Sequence, residues 1–258
     1  MRIVAVGSGK GGVGKTTVAV NLALALAAAG HQVGLFDADV YGPNVPLMLG
    51  VRQEKTVRRD LPVARAGRDP YIQPLRRFGL LVASIGLIVG ETETVLPDPR
   101  LMGMMVVQML RDVKWGALDV LLVDLPPGSG EPLQTLAQSV QIDGAVIVTT
   151  PQDLSLLDAG RSLGLFRKAH IPLLGVVENM SHLVCPHCGE PVEVFLRTDR
   201  PWALTDAGLE VLGRIPLSAD VSRGIDAGHP LVQAAPDAAL AAPFRALAAR
   251  VAEKLRAD

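Results

Sequence analysis

Seven short apolar runs punctuate the chain, at residues 3–6, 33–36, 80–85, 118–122, 145–149, 173–177 and 211–215. They are β-rich and nearly unbroken rather than alternating, as expected of parallel strands buried on both faces. Longer stretches with helical periodicity lie between them, at about 15–29, 99–113, 131–141, 153–169, 201–209 and 237–256. The pattern predicts an α/β fold with a mostly parallel central sheet flanked by helices. In the last helix Phe244, Leu247, Ala248, Val251 and Leu255 share one stripe, while Arg245, Arg250, Glu253 and Arg256 fall mainly elsewhere. Small residues and mixed charge make that stripe a face packed on the sheet rather than one lying on a membrane.

Two segments break the rhythm. Residues 41–78 begin Tyr41-Gly42-Pro43-Asn44-Val45-Pro46 and run through the charged stretch 52–60, so turn residues and charge predict a surface excursion. Residues 181–197 hold the chain's two cysteines in a turn, followed by Val192-Glu193-Val194-Phe195, whose alternation predicts half of a hairpin. Nothing resembling a linker divides the sequence, so 1–258 reads as one domain with an insertion at about 181–197.

Charge narrows the function classes. Lys and Arg total 25 against 26 Asp and Glu, a net charge of −1, which argues against a dominant nucleic-acid or anionic-membrane surface. Although 49% of residues are hydrophobic, Gly, Asp, Arg or Pro interrupts every apolar stretch before about 18 residues accumulate. No charged leader and apolar segment precede the first strand. The expectation is a cytoplasmic protein with no membrane and no nucleic-acid partner.

The chemistry begins at Gly9-Lys10-Gly11-Gly12-Val13-Gly14-Lys15-Thr16-Thr17, directly after the first apolar run and before the helical pattern Val18, Leu22, Leu26. Strand, glycine-rich loop and helix are the context of a nucleotide phosphate loop. Its glycines let backbone N–H groups curl around phosphates, Lys15 neutralises β and γ oxygens, and the Thr16 hydroxyl suits Mg²⁺. Two further strands end in acids: Asp37 and Asp39 in Leu35-Phe36-Asp37-Ala38-Asp39, and Asp124 before Leu125-Pro126-Pro127-Gly128. Strand ends of an open parallel sheet gather ligands, which suits Asp124 to the Mg²⁺ shell and Asp39 to positioning attacking water. Gly128, after the rigid Pro126-Pro127 pair, suits a switch with its N–H near the γ-phosphate. Buried structural carboxylates are the alternative for the acids, and Asp37 fits a loop-holding role. Lys10 duplicates a charge that Lys15 already supplies. It fits either a group reaching into a second subunit's site across a dimer or a solvent-facing lysine.

The run from Gly9 to Thr17 resembles the deviant phosphate loop, or deviant Walker A, of the MinD/ParA/Mrp/nitrogenase-iron-protein superfamily. The resemblance implies a SIMIBI-like P-loop NTPase that binds ATP and Mg²⁺ and hydrolyses ATP slowly. It implies that Lys10 crosses a homodimer, that Asp39 is the first switch acid, and that Asp124 through Gly128 form the second switch. Asn179 matches a base-contacting asparagine, and the loop around Pro216 resembles a segment bordering adenine.

Cys185-Pro186-His187-Cys188-Gly189 is a compact knuckle whose two thiols can face one metal. Two thiolates do not complete a structural site, so the spacing leaves zinc with His182 or His187, an iron–sulfur cluster, redox chemistry and a metal-free turn all open. The longer motifs are more specific. Asp37 through Pro46, Asp124 through Gly128, Thr149-Thr150-Pro151-Gln152-Asp153 and Glu178-Asn179-Met180-Ser181 before the knuckle together resemble the Mrp/ApbC iron–sulfur carrier ATPases over roughly residues 1–235. That resemblance implies a 4Fe-4S cluster shared by Cys185 and Cys188 of two subunits, apo iron–sulfur client proteins and cluster scaffold proteins as partners. Two departures stand out: no small N-terminal domain before Gly9, and Leu196-Arg197-Thr198-Asp199-Arg200-Pro201 where many relatives carry a Gly-rich run. The alternative function is a ParA/MinD-like partitioning or positioning ATPase with a structural zinc knuckle.

Overall fold

The apolar runs form the centre of a nine-stranded sheet in the computed structural model, which describes residues 1–51, 72–87, 99–128, 131–185, 187–195 and 209–257. The strands are β1 (Arg2–Ser8), β2 (Val33–Asp37), β3 (Leu75–Arg77), β4 (Leu80–Ser84), β5 (Val120–Asp124), β6 (Gly144–Thr149), β7 (Leu173–Val184), β8 (Pro191–Val192) and β9 (Val211–Leu217). Their order is β3-β4-β2-β5-β1-β6-β7-β8, with β9 also paired to β7. Every pairing is parallel except β3 with β4 and β7 with β8.

The helices are α1 (Lys15–Ala28), α2 (Val45–Met48), α3 (Pro99–Asp112), α4 (Glu131–Ser139), α5 (Asp153–Lys168), α6 (Ala219–Asp226), α7 (Leu231–Ala234) and α8 (Ala242–Ala257). Side chains of consecutive strand residues divide between two cores, as two-sided burial requires. Val4, Val6, Leu35, Leu122 and Val146 join Leu22, Leu26, Phe244 and Leu247 on the side of α1 and α8. Ala5, Phe36, Leu121, Val123 and Ile147 join Val106, Leu110, Leu136 and Phe166 on the side of α3, α4 and α5. Each fully buried Leu or Phe contributes about 1.5–3 kcal/mol relative to exposure, so both faces hold the sheet. The C-terminal stripe packs as expected, with Phe244, Leu247 and Val251 fully buried.

Several boundaries move. β7 runs to Val184 instead of ending near Val177, through a register shift against β9 between Asn179 and Leu183. Met180 lies in that shift with φ 55, a left-handed conformation uncommon for a side chain of its size. The hairpin after the cysteines pairs only Pro191–Val192. In the excursion at 41–78, α2 and the antiparallel β3 occupy its two ends. The charged stretch 52–60, all but the last residue of the helix expected at about 201–209 and the departure at 196–201 lie outside the described residues. Among the described residues no helix is long and apolar enough to cross a membrane.

Candidate nucleotide site and cysteine hairpin

β1 is the central strand between β5 and β6, and the loop leaving it opens into a cavity of about 610 Å³. Gly12 and Gly14 adopt φ of 82° and 78°, and α1 begins at Lys15 with no side-chain cap. Its first amides therefore face the loop, and the positive end of the helix dipole favours an anion there. Lys10, residues 11–17, Asp39 and Pro127 line the same cavity. Gly14 is also pressed from outside: a β-carbon there would overlap the Asn179 amide nitrogen, which donates to the Val13 carbonyl at 2.8 Å.

The buried centre of the site is an ion pair. Lys15 Nζ lies 2.7 Å from Asp124 Oδ1 and 3.2 Å from Thr16 Oγ1. Burial pushes the Asp124 carboxyl above its ordinary range, against the pull of the Lys15 ammonium. Its second oxygen, Oδ2, is buried without a hydrogen-bond partner. An unpaired buried carboxylate oxygen beside a threonine hydroxyl suits a hydrated Mg²⁺, which takes oxygen ligands and retains water. The cradle of glycines and the basic Lys15 likewise suit a nucleotide triphosphate.

β2 supplies the other acids. Asp37 is fully buried and pushed up to about 8, chiefly by desolvation and then by the nearby Asp124. Asp39, also raised by burial, accepts the Gly42 N–H at 3.3 Å. Gly128 has φ 84 and donates its N–H to the Ser8 carbonyl at 3.0 Å, tying the segment after β5 to the end of β1. Lys10 Nζ reaches Gln152 Oε1 at 3.4 Å within the same chain. Pro216 is buried in β9 beside the register that pairs Asn179 with Ile215, and it does not line the cavity. Tyr41, Gly42, Asn44 and Met48 do line it, although the sequence pattern places them only in a surface excursion.

The cysteines sit where β7 turns into β8. The Cys185 N–H donates to the Glu190 carbonyl and the Gly189 N–H to the Cys185 carbonyl, both at 2.9 Å, which closes the turn. The backbone N–H groups of Cys188 and His187, and then the Cys188 thiol, hold the Cys185 thiol below its usual range. Cys185 is half-buried and Cys188 exposed, and neither forms a disulfide. Exposed Val184, Val192 and Val194 flank them. His182 accepts or donates at Ser181 Oγ, 3.0 Å away. Among the described residues no group of three or more His, Cys, Asp or Glu is gathered for a metal.

A glycine loop between the first strand and helix, a buried lysine paired with a strand-end aspartate and a second lysine inside the loop define a P-loop nucleotide hydrolase of the deviant type. A ParA model described as NUBPL iron-transfer P-loop NTPase matches residues 1–252, and the chain belongs to that family. It is 41% identical over 258 residues to an iron-sulfur cluster carrier protein of Pyrococcus abyssi, covering 98% of this chain and 86% of the relative. A solved nucleotide-binding protein from Archaeoglobus fulgidus in complex with ADP aligns with a TM-score of 0.72 at 34% identity, over 88% of this chain and 86% of that one. The Pyrococcus furiosus cell division ATPase MinD gives a TM-score of 0.72 at 28% identity, over 98% and 99%. The chain is an ATP-hydrolysing enzyme of the ParA/MinD superfamily with Mrp/ApbC likeness.

Proposed function

We propose that this protein is a cytoplasmic ATPase that carries a 4Fe-4S cluster between two copies of itself and delivers it to apoproteins. The observation that carries the reading is the cysteine pair: two adjacent thiols on an exposed hairpin, with no third ligand gathered beside them among the described residues. A cluster cargo needs about four thiolate ligands, which a two-fold pair of such hairpins supplies. The lowered Cys185 thiol favours the thiolate that binds metal, and the exposed valines beside it suit a contact between copies. The relatives named as iron-sulfur cluster carriers support the same cargo.

In this reading the whole chain works as one P-loop unit with the hairpin as its insertion. Residues 9–17 wrap the phosphates of ATP, Lys15 leaves Asp124 for the β and γ oxygens, and Thr16, Asp39 and Asp124 serve the Mg²⁺ shell. Asp39 orients the attacking water, Lys10 of one copy stabilises charge in the other's site, and Asp124 with Pro126, Pro127 and Gly128 responds to hydrolysis. Asn179 and the loop around Pro216 are assigned to the base by the resemblance alone, since neither residue lines the cavity. Hydrolysis is slow, as suits a switch coupled to cargo, and clients or scaffold proteins exchange the cluster.

The test is anaerobic reconstitution with iron and sulfide, followed by measurement of iron, zinc and acid-labile sulfide per dimer. About four iron and four sulfide per dimer, lost in Cys185→Ser and in Cys188→Ser, are expected. Zinc without sulfide would overturn the cargo and leave a positioning ATPase with a zinc knuckle.

A further inference from the structure

The Asp37 carboxylate is 1% exposed and takes no part in the roles described for Asp39, Asp124 or the two lysines. Its two oxygens nevertheless accept three hydrogen bonds, and the donors form a pattern. Oδ1 accepts from the Asp39 N–H at 3.2 Å, at the entry to the loop that follows β2. Oδ2 accepts from the Val45 N–H at 3.2 Å, where that loop ends and α2 begins. Oδ2 also accepts from Ser84 Oγ at 2.9 Å, across the parallel pairing of β2 with β4, and Ser84 Oγ in turn accepts the Gly86 N–H at 3.1 Å. One carboxylate therefore closes both ends of the segment carrying Asp39, Tyr41, Gly42 and Asn44, all of which line the nucleotide cavity.

We infer that Asp37 is a positioning residue for ATP hydrolysis: it clamps the loop at entry and exit and, braced by Ser84, fixes where Asp39 meets the attacking water. The inference rests on the water-positioning role of Asp39 but not on the cargo. A carboxyl group suits the task in either protonation state, because each oxygen accepts one backbone N–H and Ser84 Oγ can either donate to Oδ2 or accept its proton. Asparagine has one accepting oxygen, and its NH₂ would face either the Asp39 or the Val45 N–H, releasing one end of the loop. Misplacing a catalytic group by about 1 Å can cost on the order of 100-fold in rate while leaving phosphate contacts intact.

The experiment is steady-state phosphate release from Mg-ATP by the full chain, with kcat and KM separated, for Asp37→Asn, Ser84→Ala and Asp39→Asn, alongside thermal melting. Asp37→Asn is expected to lower kcat by about 10-fold or more with KM for ATP changed less than about 3-fold, and Ser84→Ala to lower kcat by about 3-fold at unchanged KM. A folded Asp37→Asn protein with wild-type kcat, or one whose loss lies wholly in KM, overturns the clamp. Should Asp37→Asn not fold, Ser84→Ala decides: a lowered kcat at constant KM supports the inference and an unchanged kcat overturns it. Asp39→Asn separates the two layers. Wild-type kcat there would remove the role of Asp39 and the clamp's purpose with it, whereas a large fall there with no change in Asp37→Asn would remove the clamp alone.

Discussion

Lys15 Nζ stands 2.7 Å from Asp124 Oδ1, with 6% and 0% of the two side chains exposed. In the proposed reading phosphate competes with Asp124 for the ammonium of this pair. Removing one member leaves the other charged and buried, at a cost of about 3–5 kcal/mol, whereas removing both leaves no orphan charge. Lys15→Met and Asp124→Leu should each destabilise the nucleotide-free protein strongly, and the double variant by clearly less than their sum. Urea unfolding of the four proteins in a double-mutant cycle measures this, and additive losses would show that the pair does not couple.

Gly14 is constrained twice, by its left-handed φ of 78° and by the Asn179 amide lying against it. Gly14→Ala should cost at least about 1–2 kcal/mol from the backbone alone and should weaken nucleotide binding further, by displacing Asn179 from Val13. Adding Asn179→Gly relieves the overlap but not the backbone strain. The double variant should therefore recover part of the lost stability in chemical denaturation. Full recovery would locate the whole cost in the side-chain clash, and no recovery would locate it in φ.

Much of this was legible before any coordinates. Unbroken runs such as Val120-Leu121-Leu122-Val123 announce strands covered on both faces, and residues 9–17 announce the phosphate loop, because both signals are local. The Asp37 clamp is not local. It depends on β4 lying beside β2, so that Ser84 faces Asp37, and strand order is not written in either run. Gln152 beside Lys10 depends likewise on β6 following β1 in the sheet. The extension of β7 past Val177 was hidden by its polar and bulged course through Asn179 and Met180, which breaks the periodicity used to recognise a strand. α6 was not expected either, although its start carries a local signal: Ser218 caps it, accepting the Asp220 N–H at 3.1 Å.

The lowered Cys185 thiol has a direct chemical readout. A thiol reacts as thiolate, so a lower pKa moves the rise of its alkylation rate to lower pH than the roughly 8.5 of a free cysteine. Site-resolved alkylation by iodoacetamide should place the Cys185 midpoint below that value in the metal-free protein. Cys188→Ala removes the thiol donor but keeps the backbone N–H groups of residues 187 and 188, so the midpoint should rise without returning fully to the free value. A wild-type midpoint at or above that of free cysteine would show that the turn does not favour the thiolate.

Lys10 is held at Gln152 in the single chain, 3.4 Å away and partly exposed, so its contact is weak enough to exchange. In the proposed reading its charge stabilises a transferring phosphoryl group, while Lys15, which rests on Asp124, serves the phosphates of its own chain. The target of Lys10 in that reading is the site of a second copy. Lys10→Ala should then lower kcat by about 10-fold or more and abolish the rise of specific activity with protein concentration, while nucleotide affinity of the isolated chain stays close to wild type. Gln152→Ala, which removes only the resting partner, should leave that concentration dependence in place. Phosphate-release rates across a range of protein concentrations decide the matter: equal kcat for wild type and Lys10→Ala means that the lysine is merely solvent-facing, and a loss confined to nucleotide affinity means that it serves its own site.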